Sequence, residues 1–194
     1  VVIAIILSSF VKYKEVEASS KKTAIISFDI FEKTALEPSI LLFFITFTFG
    51  GIASFLPLYA AQKSVGGIET YFIIYAAFLM ISRLFAGRIY DLKGHKYVFL
   101  PGVTLILIAM IFLAWLPSTA GLLFAGAIYG FGFGSVQPAL QAWSVEKATM
   151  DRRGMANATF FSFFDLGIGL GAIAFGFIAQ FLGYMYIYIT SAVS

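Results

Sequence analysis

The stretch SRLFAGRIYDLKGHKYVF, residues 82–99, decides the fold because it concentrates charge between two long apolar segments. Its charged and titratable residues are Arg83, Arg88, Asp91, Lys93, His95 and Lys96. Each flanking segment runs for about 20 residues, which is the length that an α-helix needs to cross a bilayer core of about 30 Å. The stretch is therefore predicted to hold a short polar turn between two membrane-spanning helices.

Composition excludes an ordinary soluble domain. The 194 residues are 60% hydrophobic and only 12% charged, whereas a soluble domain carries about 25% charged residues. A water-soluble chain of this length has no core large enough to bury so much apolar surface. Cysteine is absent, so disulfides and thiolate metal sites are excluded.

Five full spans and two partial spans account for the apolar sequence. The full spans are predicted at residues 38–60, 70–88, 97–116, 120–143 and 155–180. Residues 1–10 are expected to end one further span, and residues 183–194 to begin another. Both ends are apolar and the chain has no initiating Met, so we expect a piece of a longer membrane protein.

Lysine and arginine alternate between rich and poor loops. Residues 11–37 contain five lysines, and residues 88–96 and 145–154 contain three basic residues each. Residues 61–69 contain one, and the two remaining loops contain none. Because cytoplasmic loops carry the excess of positive charge, the rich loops are predicted to be cytoplasmic. Residues 11–37 are predicted to be a linker with a short interfacial helix, and a disordered linker explains residues 11–20 equally well.

Stripes of small or polar residues mark the helix faces that pack closely or border a cavity. One such stripe, in the fourth full span, comprises Gly126, Gly130, Gly134, Gln137 and Gln141. Another, in the fifth, comprises Ala158, Ser162, Asp165, Gly169, Ala172 and Gly176. The candidate cavity or substrate contacts are Thr46, Phe47, Gly50, Ser54, Gln137 and Gln141.

Asp165 lies ten residues into the last full span, near the expected bilayer midplane. A charge there costs several kcal/mol unless it is paired, hydrated or neutralised. We expect a buried acid that bonds a neighbouring helix, exchanges a proton or contacts substrate. For Arg83, snorkelling toward the headgroups competes with a functional role. For Gln137 and Gln141, hydrogen bonding between helices competes with substrate contact.

The segment GRIYDLKGHK, residues 87–96, resembles the cytoplasmic signature of the major facilitator superfamily. That signature is a Gly, three residues, an Asp, a basic residue, any residue, a Gly and two basic residues. Gly87, Asp91, Gly94 and Lys96 match it, and His95 occupies a basic position. Residue 92 is a leucine and departs from it, with Lys93 supplying the charge next door. Residues 152–172, RRGMANATFFSFFDLGIGLGA, are similar to the family's loop into its eleventh helix.

This resemblance implies an all-α membrane protein with the major facilitator fold, in which two six-helix halves are joined by a long cytoplasmic linker. Residues 1–10 would end helix six, and residues 11–37 would be the linker. Residues 38–194 would form helices seven to eleven and part of twelve, a six-helix half-bundle. The missing N-terminal half-bundle would be its partner.

The resemblance also implies a conformational latch, because in this family the signature carboxylate fastens one half to the other when the transporter is closed to the cytoplasm. The implied latch residues are Arg83, Gly87, Asp91, Lys93, Gly94, His95 and Lys96. Gly87 would let helices approach, and Gly94 would permit the turn. Asp91 would sit against the positive end of a neighbouring helix. The basic residues would hold the loop at the anionic inner leaflet.

The implied function is secondary active transport of a small molecule by alternating access. Few polar positions face inward, and the surrounding phenylalanines favour an apolar or amphipathic solute, as in the proton-coupled drug-efflux antiporters of the family. A sugar or metabolite carrier is the alternative, and a membrane sensor or scaffold is an alternative of another class. We expect a multi-pass protein of the prokaryotic plasma membrane, surrounded by lipid. We expect no catalytic residue, metal, cofactor or nucleic acid.

Overall fold

The structure is a computed structural model that describes residues 31–115 and 118–193. These residues form a short 3₁₀ turn, Lys33–Ala35, and six α-helices: α1 Leu36–Gln62, α2 Ile68–Lys93, α3 Lys96–Trp115, α4 Thr119–Glu146, α5 Arg153–Phe181 and α6 Tyr184–Val193. Helices α1 to α5 are each long and apolar enough to cross a membrane. The predicted all-α membrane fold with five full spans is confirmed, while the partial span at residues 1–10 and most of the linker lie outside the described residues.

A glycine sets the turn between α2 and α3. Gly94 has φ +88°, in the left-handed region that residues with a side chain rarely adopt. Its backbone N–H donates to the carbonyl oxygen of Tyr90 at 2.8 Å, which caps the end of α2. Because α3 begins at Lys96, the signature sequence makes the tight turn that was predicted.

Helix α4 packs against α2 through its predicted glycine stripe. A side chain at Gly130 would collide with the carbonyl oxygen of Tyr75. A Cβ atom at Gly134 would lie 2.6 Å from the carbonyl oxygen of Leu79. In a bilayer, helix association depends on such close packing, because lipid tails are as apolar as the side chains. The stripe is therefore the seam that holds these two helices together.

A second seam joins α1 to α5. Gly167 and Gly171 of α5 lie against Thr46 and Phe47 of α1, leaving no room for a Cβ atom at either glycine. Gly50 of α1 approaches the backbone of α5 equally closely. This seam lies on a different face of α5 from the predicted stripe. Within that stripe, residues 158, 162, 165 and 169 are exposed.

Stacked aromatic rings fill the middle of the bundle. The ring of Phe49 in α1 stacks on Tyr75 of α2 at 5.9 Å and on Phe133 of α4 at 5.4 Å. Tyr129 is fully buried, and its hydroxyl lies 3.2 Å from the Thr48 hydroxyl. These contacts join α1, α2 and α4 into one packed unit.

The last residues of the predicted linker are fixed to the start of α5. Glu32 is buried, and its backbone N–H donates to the Thr159 hydroxyl at 2.9 Å. Its carboxylate accepts hydrogen bonds from Thr34 and from the Arg152 guanidinium. The hydrogen bonds from Thr34 and the positive charge of Arg152 hold the pKa of Glu32 below its usual value.

Replacing Glu32 with glutamine is expected to lower the melting temperature of the detergent-solubilised protein by a few degrees at pH 7. A carboxylate with a lowered pKa stabilises the fold above its unfolded pKa of about 4.3 and loses that contribution as pH falls through the folded value. The difference between wild type and Glu32→Gln should therefore shrink toward pH 3. Glu37→Gln is the control, because the Glu37–Lys147 pair is exposed and such pairs contribute little. Equal melting temperatures for wild type and Glu32→Gln at pH 7 would refute this role.

Candidate functional site

A polar groove opens between α2 and α4, on the half of the bundle that contains the α2–α3 turn. Its volume is about 360 Å³. The polar and glycine residues that line it are Arg83, Gly87, Tyr90, Asp91, Gln137 and Gln141. Two sets of residues predicted separately, the signature and the glutamines of α4, thus share one site.

Arg83 is held by Gln137 inside the membrane-spanning region. The guanidinium Nη2 donates to the Gln137 side-chain oxygen at 3.1 Å. Arg83 lies two to three residues beyond the midpoint of α2, or about 4 Å along the helix axis at 1.5 Å per residue. Snorkelling from that depth is unnecessary here, because the guanidinium has a polar groove and an amide partner beside it.

Gln141 joins α4 to α5. Its side-chain nitrogen donates to the Asn157 side-chain oxygen at 3.1 Å. Gln141 is half-buried and also lines the groove. The Gln141 side chain therefore bonds a neighbouring helix and lines the groove at the same time. These two roles were predicted as alternatives.

Gly87 and Asp91 follow Arg83 at one-turn intervals and are exposed. A Cβ atom at Gly87 would meet nothing within 4 Å. Among the described helices, α4 makes its close contacts with α2 through Gly130 and Gly134, so close packing at Gly87 stays a prediction for helices outside the described chain. Asp91 forms no ion pair within residues 31–115 and 118–193.

The signature loop is fastened to the end of α4. The His95 ring stacks on Trp143 with centroids 4.3 Å apart and planes 6° from parallel. The Lys147 amine lies 4.6 Å from the centre of the same indole and pairs with Glu37 at 2.9 Å. His95 was expected at the lipid surface, but it is half-buried on Trp143, a residue that was not among the predicted site residues.

Lys93 and Lys96 differ from His95 in their surroundings, because both are exposed where α2 ends and α3 begins. The Lys93 amine lies 5.9 Å from the centre of the Tyr97 ring. Tyr90 of the same loop region donates to the Glu146 carboxylate at 2.7 Å. The exposed lysines leave positive charge at this end of the bundle.

Two of the predicted cavity residues of α1 prove to be packing residues. Thr46 is fully buried, and its hydroxyl donates to the Leu42 carbonyl at 3.0 Å. Gly50 is buried against the backbone of α5. Their assignment to a cavity is wrong because the Gly167–Gly171 face of α5 covers them. Phe47 is half-buried with its ring 4.9 Å from Phe175, and Ser54 is exposed.

Asp165 is exposed within the described chain, so no described helix buries it, and its burial in the full-length protein stays a prediction. The physical reason is that α5 packs on α1 through Gly167 and Gly171, which leaves Asp165 and Gly169 on an open face. No side chain within 4 Å of a Cβ at Gly169 covers that face. Asp165 therefore does not bond to a described helix of this bundle.

The groove and the bundle of spans define an integral, multi-pass membrane protein with open polar faces. The sequence model of the Major Facilitator Superfamily matches residues 2–194. The chain therefore belongs to the Major Facilitator Superfamily, as its signature loop indicates.

Relatives in bacteria carry transporter names. An uncharacterized MFS-type transporter of Burkholderia pseudomallei strain K96243 is 28% identical over 148 residues, 75% of this chain and 36% of the relative. A transporter of the same description from Burkholderia mallei strain SAVP1 gives the same values. The staphylopine export protein of Staphylococcus aureus strain Mu50 is 24% identical over 161 residues, 81% of this chain and 41% of the relative. The chain thus spans about two fifths of the length of these relatives, or less.

Proposed function

We propose that the chain forms the C-terminal half-bundle of a secondary active transporter that works by alternating access. The observation that carries this proposal is the groove of α2 and α4, in which Arg83 and Gln137 place a hydrogen-bonded cation within the membrane-spanning region. Charged residues at such depth are costly and mark the paths of substrates and ions. Membership of a transporter family supports the same function.

The open faces of α2 and α5 support a second half-bundle that rocks against this one. Small and polar residues are exposed on these two membrane-spanning helices. They are Gly87 and Asp91 on α2, and Ser162, Asp165 and Gly169 on α5. Lipid is a poor environment for a carboxylate. Another bundle with water between the halves would accommodate both carboxylates.

In more detail, the proposed function is proton-coupled export of an amphipathic compound. An exporter among the relatives supports the direction. Apolar side chains around the groove support an amphipathic solute. Asp165 supports proton coupling, because an exposed carboxylate on a face between two halves is positioned to exchange a proton during the cycle.

Flux through proteoliposomes tests this proposal. The full-length protein that contains this chain, reconstituted with a pH gradient, is expected to move at least one of two amphipathic dyes, the cation rhodamine 6G or the anion carboxyfluorescein, against its concentration gradient. A protonophore that collapses the gradient should stop uphill movement. Binding of dye without movement under any gradient would indicate a membrane sensor or scaffold instead.

Topology gives an independent prediction. A cysteine placed at Lys93 is expected to react with a membrane-impermeant maleimide only from the cytoplasmic side, because the lysine-rich loops are predicted to be cytoplasmic. The described chain offers a clean background, since its sequence lacks cysteine. Lys63, in the loop between α1 and α2, is the control and should react from the outside. Reversed labelling of the two positions would show that the orientation is wrong.

A further inference from the structure

We propose that Arg83 and Gln137 form an anion-binding subsite within the membrane, so that the transported solute carries a carboxylate or a comparable negative group. This inference rests on the proposed transport function and specifies the polar end of its solute. Three observations on the Arg83 guanidinium support it: its depth along α2, its hydrogen-bond partner and the residues around it.

The partner of Arg83 is neutral. A guanidinium has five N–H donors and no acceptor, and its hydrogen bond with a described residue goes to the amide oxygen of Gln137 at 3.1 Å. Gln137 is only 8% exposed, so its side chain is held by the surrounding helices. Arg83 is exposed on α2, so this one bond orients its guanidinium while leaving the charge uncompensated and the other N–H donors accessible. A planar cation fixed in this way suits recognition of a carboxylate through paired hydrogen bonds.

The acids of the described chain form no ion pair with Arg83. Asp91 lies eight residues further along α2, or about 12 Å along the helix axis. Asp165 is on α5, which makes no contact with α2. The ion pairs of the described residues join Lys147 to Glu37 and Arg152 to Glu32, both at the bundle end. The positive charge therefore remains for a ligand.

The groove has room for a small solute beside the guanidinium. Its volume of about 360 Å³ lies within the range of about 300–1,000 Å³ found for small-molecule sites. Small residues line the wall next to Arg83 and Gln137, namely Ala86, Gly87, Ala139 and Ala142. Arg83 and Asp91 are the charged residues of the lining, about 12 Å apart along the axis of α2. A cation beside small apolar groups, with the carboxylate at the far end of the groove, suits a solute with one anionic end at Arg83 and an apolar body. An acidic side chain from a second half-bundle is the competing occupant.

Matched acid and amide pairs test the subsite in the full-length protein. The probes are benzoate and benzamide, 2-naphthoate and 2-naphthamide, and octanoate and octanamide. Binding is measured by thermal stabilisation of the purified transporter in detergent. At least one acid is expected to raise the melting temperature while its uncharged amide does not.

Variants of Arg83 and Arg88 test which guanidinium binds the acid. Arg83→Gln is expected to weaken binding of that acid about tenfold to a hundredfold, since it removes a charge-assisted hydrogen bond, and Arg83→Lys should weaken it less. Arg88→Gln is the matched control, because Arg88 lies on the same helix but does not line the groove. Elution on gel filtration confirms that each variant is folded.

Three results would overturn the subsite. These are stabilisation by no acid, equal stabilisation by acid and amide, or unchanged acid binding in Arg83→Gln. If an acid of the second half pairs with Arg83, Arg83→Gln should destabilise the ligand-free protein while no probe acid binds. Flux of rhodamine 6G separates this inference from the proposed function: a transporter that moves the dye but ignores every acid keeps its function and loses the anion subsite.

Discussion

Replacing Gly171 with alanine is expected to destabilise the bundle, whereas the same change at Gly169 is expected to leave it intact or slightly more stable. Both glycines lie in the interior of α5, where alanine favours the helix by about 1 kcal/mol. Helix propensity alone therefore predicts a gain at both positions. A loss of stability in Gly171→Ala together with no loss in Gly169→Ala would show that packing decides the outcome at Gly171.

The physical reason is the distance between the two backbones. A Cβ atom at Gly171 would collide with the carbonyl oxygen of Phe47 and lie 2.9 Å from the Phe47 Cα atom. Backbone atoms cannot turn aside as the end of a side chain can, so α1 and α5 must separate. Overpacking typically costs about 1–3 kcal/mol, and Gly171→Leu is expected to prevent folding of the seam altogether.

Gly169 is the matched control because a Cβ atom there meets nothing within 4 Å of the described residues. The measurement is the free energy of unfolding in mixed micelles, together with the yield of monodisperse protein. A Gly171→Ala variant as stable as Gly169→Ala would contradict the α1–α5 seam. The result does not depend on any assumption about substrate.

Replacing Asp91 with asparagine is expected to reduce flux while the protein remains folded and inserted. Asp91 is exposed and forms no ion pair within the described ranges, so the half-bundle loses little. What is lost is the proposed interaction of the carboxylate with the positive end of a helix in the other half, worth about 0.3–2 kcal/mol. In a balanced two-state cycle this range corresponds to about a 2- to 30-fold change in population.

Dye flux in proteoliposomes, normalised to the amount of folded protein, measures the effect. Asp151→Asn is the control, since Asp151 is an exposed acid in the loop between α4 and α5, remote in sequence from the signature. It should transport like wild type. If Asp91→Asn also transported like wild type, the signature loop would have no latch role in this protein.

The membrane spans, the turn between α2 and α3, and the seam between α2 and α4 were predictable because each depends on local sequence. Hydropathy over about 20 residues identifies a span, and Gly94 supplies the backbone conformation of a tight turn. The glycine stripe of α4 runs along a single face with a regular spacing. A stripe of that kind indicates close packing whichever helix provides the partner.

The face of α5 was not predictable in the same way. Gly167, Gly169 and Gly171 alternate in the segment GIGLG, so one helix presents small residues on two faces. Sequence periodicity does not say which face meets α1 and which meets another bundle. This is why Asp165 was expected to be buried and is exposed here.

The composition of the groove depends on contacts that span long stretches of sequence. Arg83 and Gln137 are 54 residues apart and were selected for separate reasons. The His95 ring stacks on Trp143. This aromatic residue lies at the end of a long apolar helix, where Trp and Tyr are commonly found at the membrane interface. Only the packing of α2 on α4 brings these side chains together.

The most direct test of alternating access is the reactivity of a cysteine at Ser162 in the full-length protein freed of other cysteines. Ser162 is exposed on α5, and its hydroxyl donates to the Ala158 carbonyl of its own helix at 2.9 Å. An impermeant maleimide should label this cysteine at a rate that changes when the pH gradient is reversed. A cysteine at Ile108, exposed on apolar α3, should stay unlabelled in lipid. Absent or constant labelling at Ser162 would contradict a water-accessible face that opens and closes.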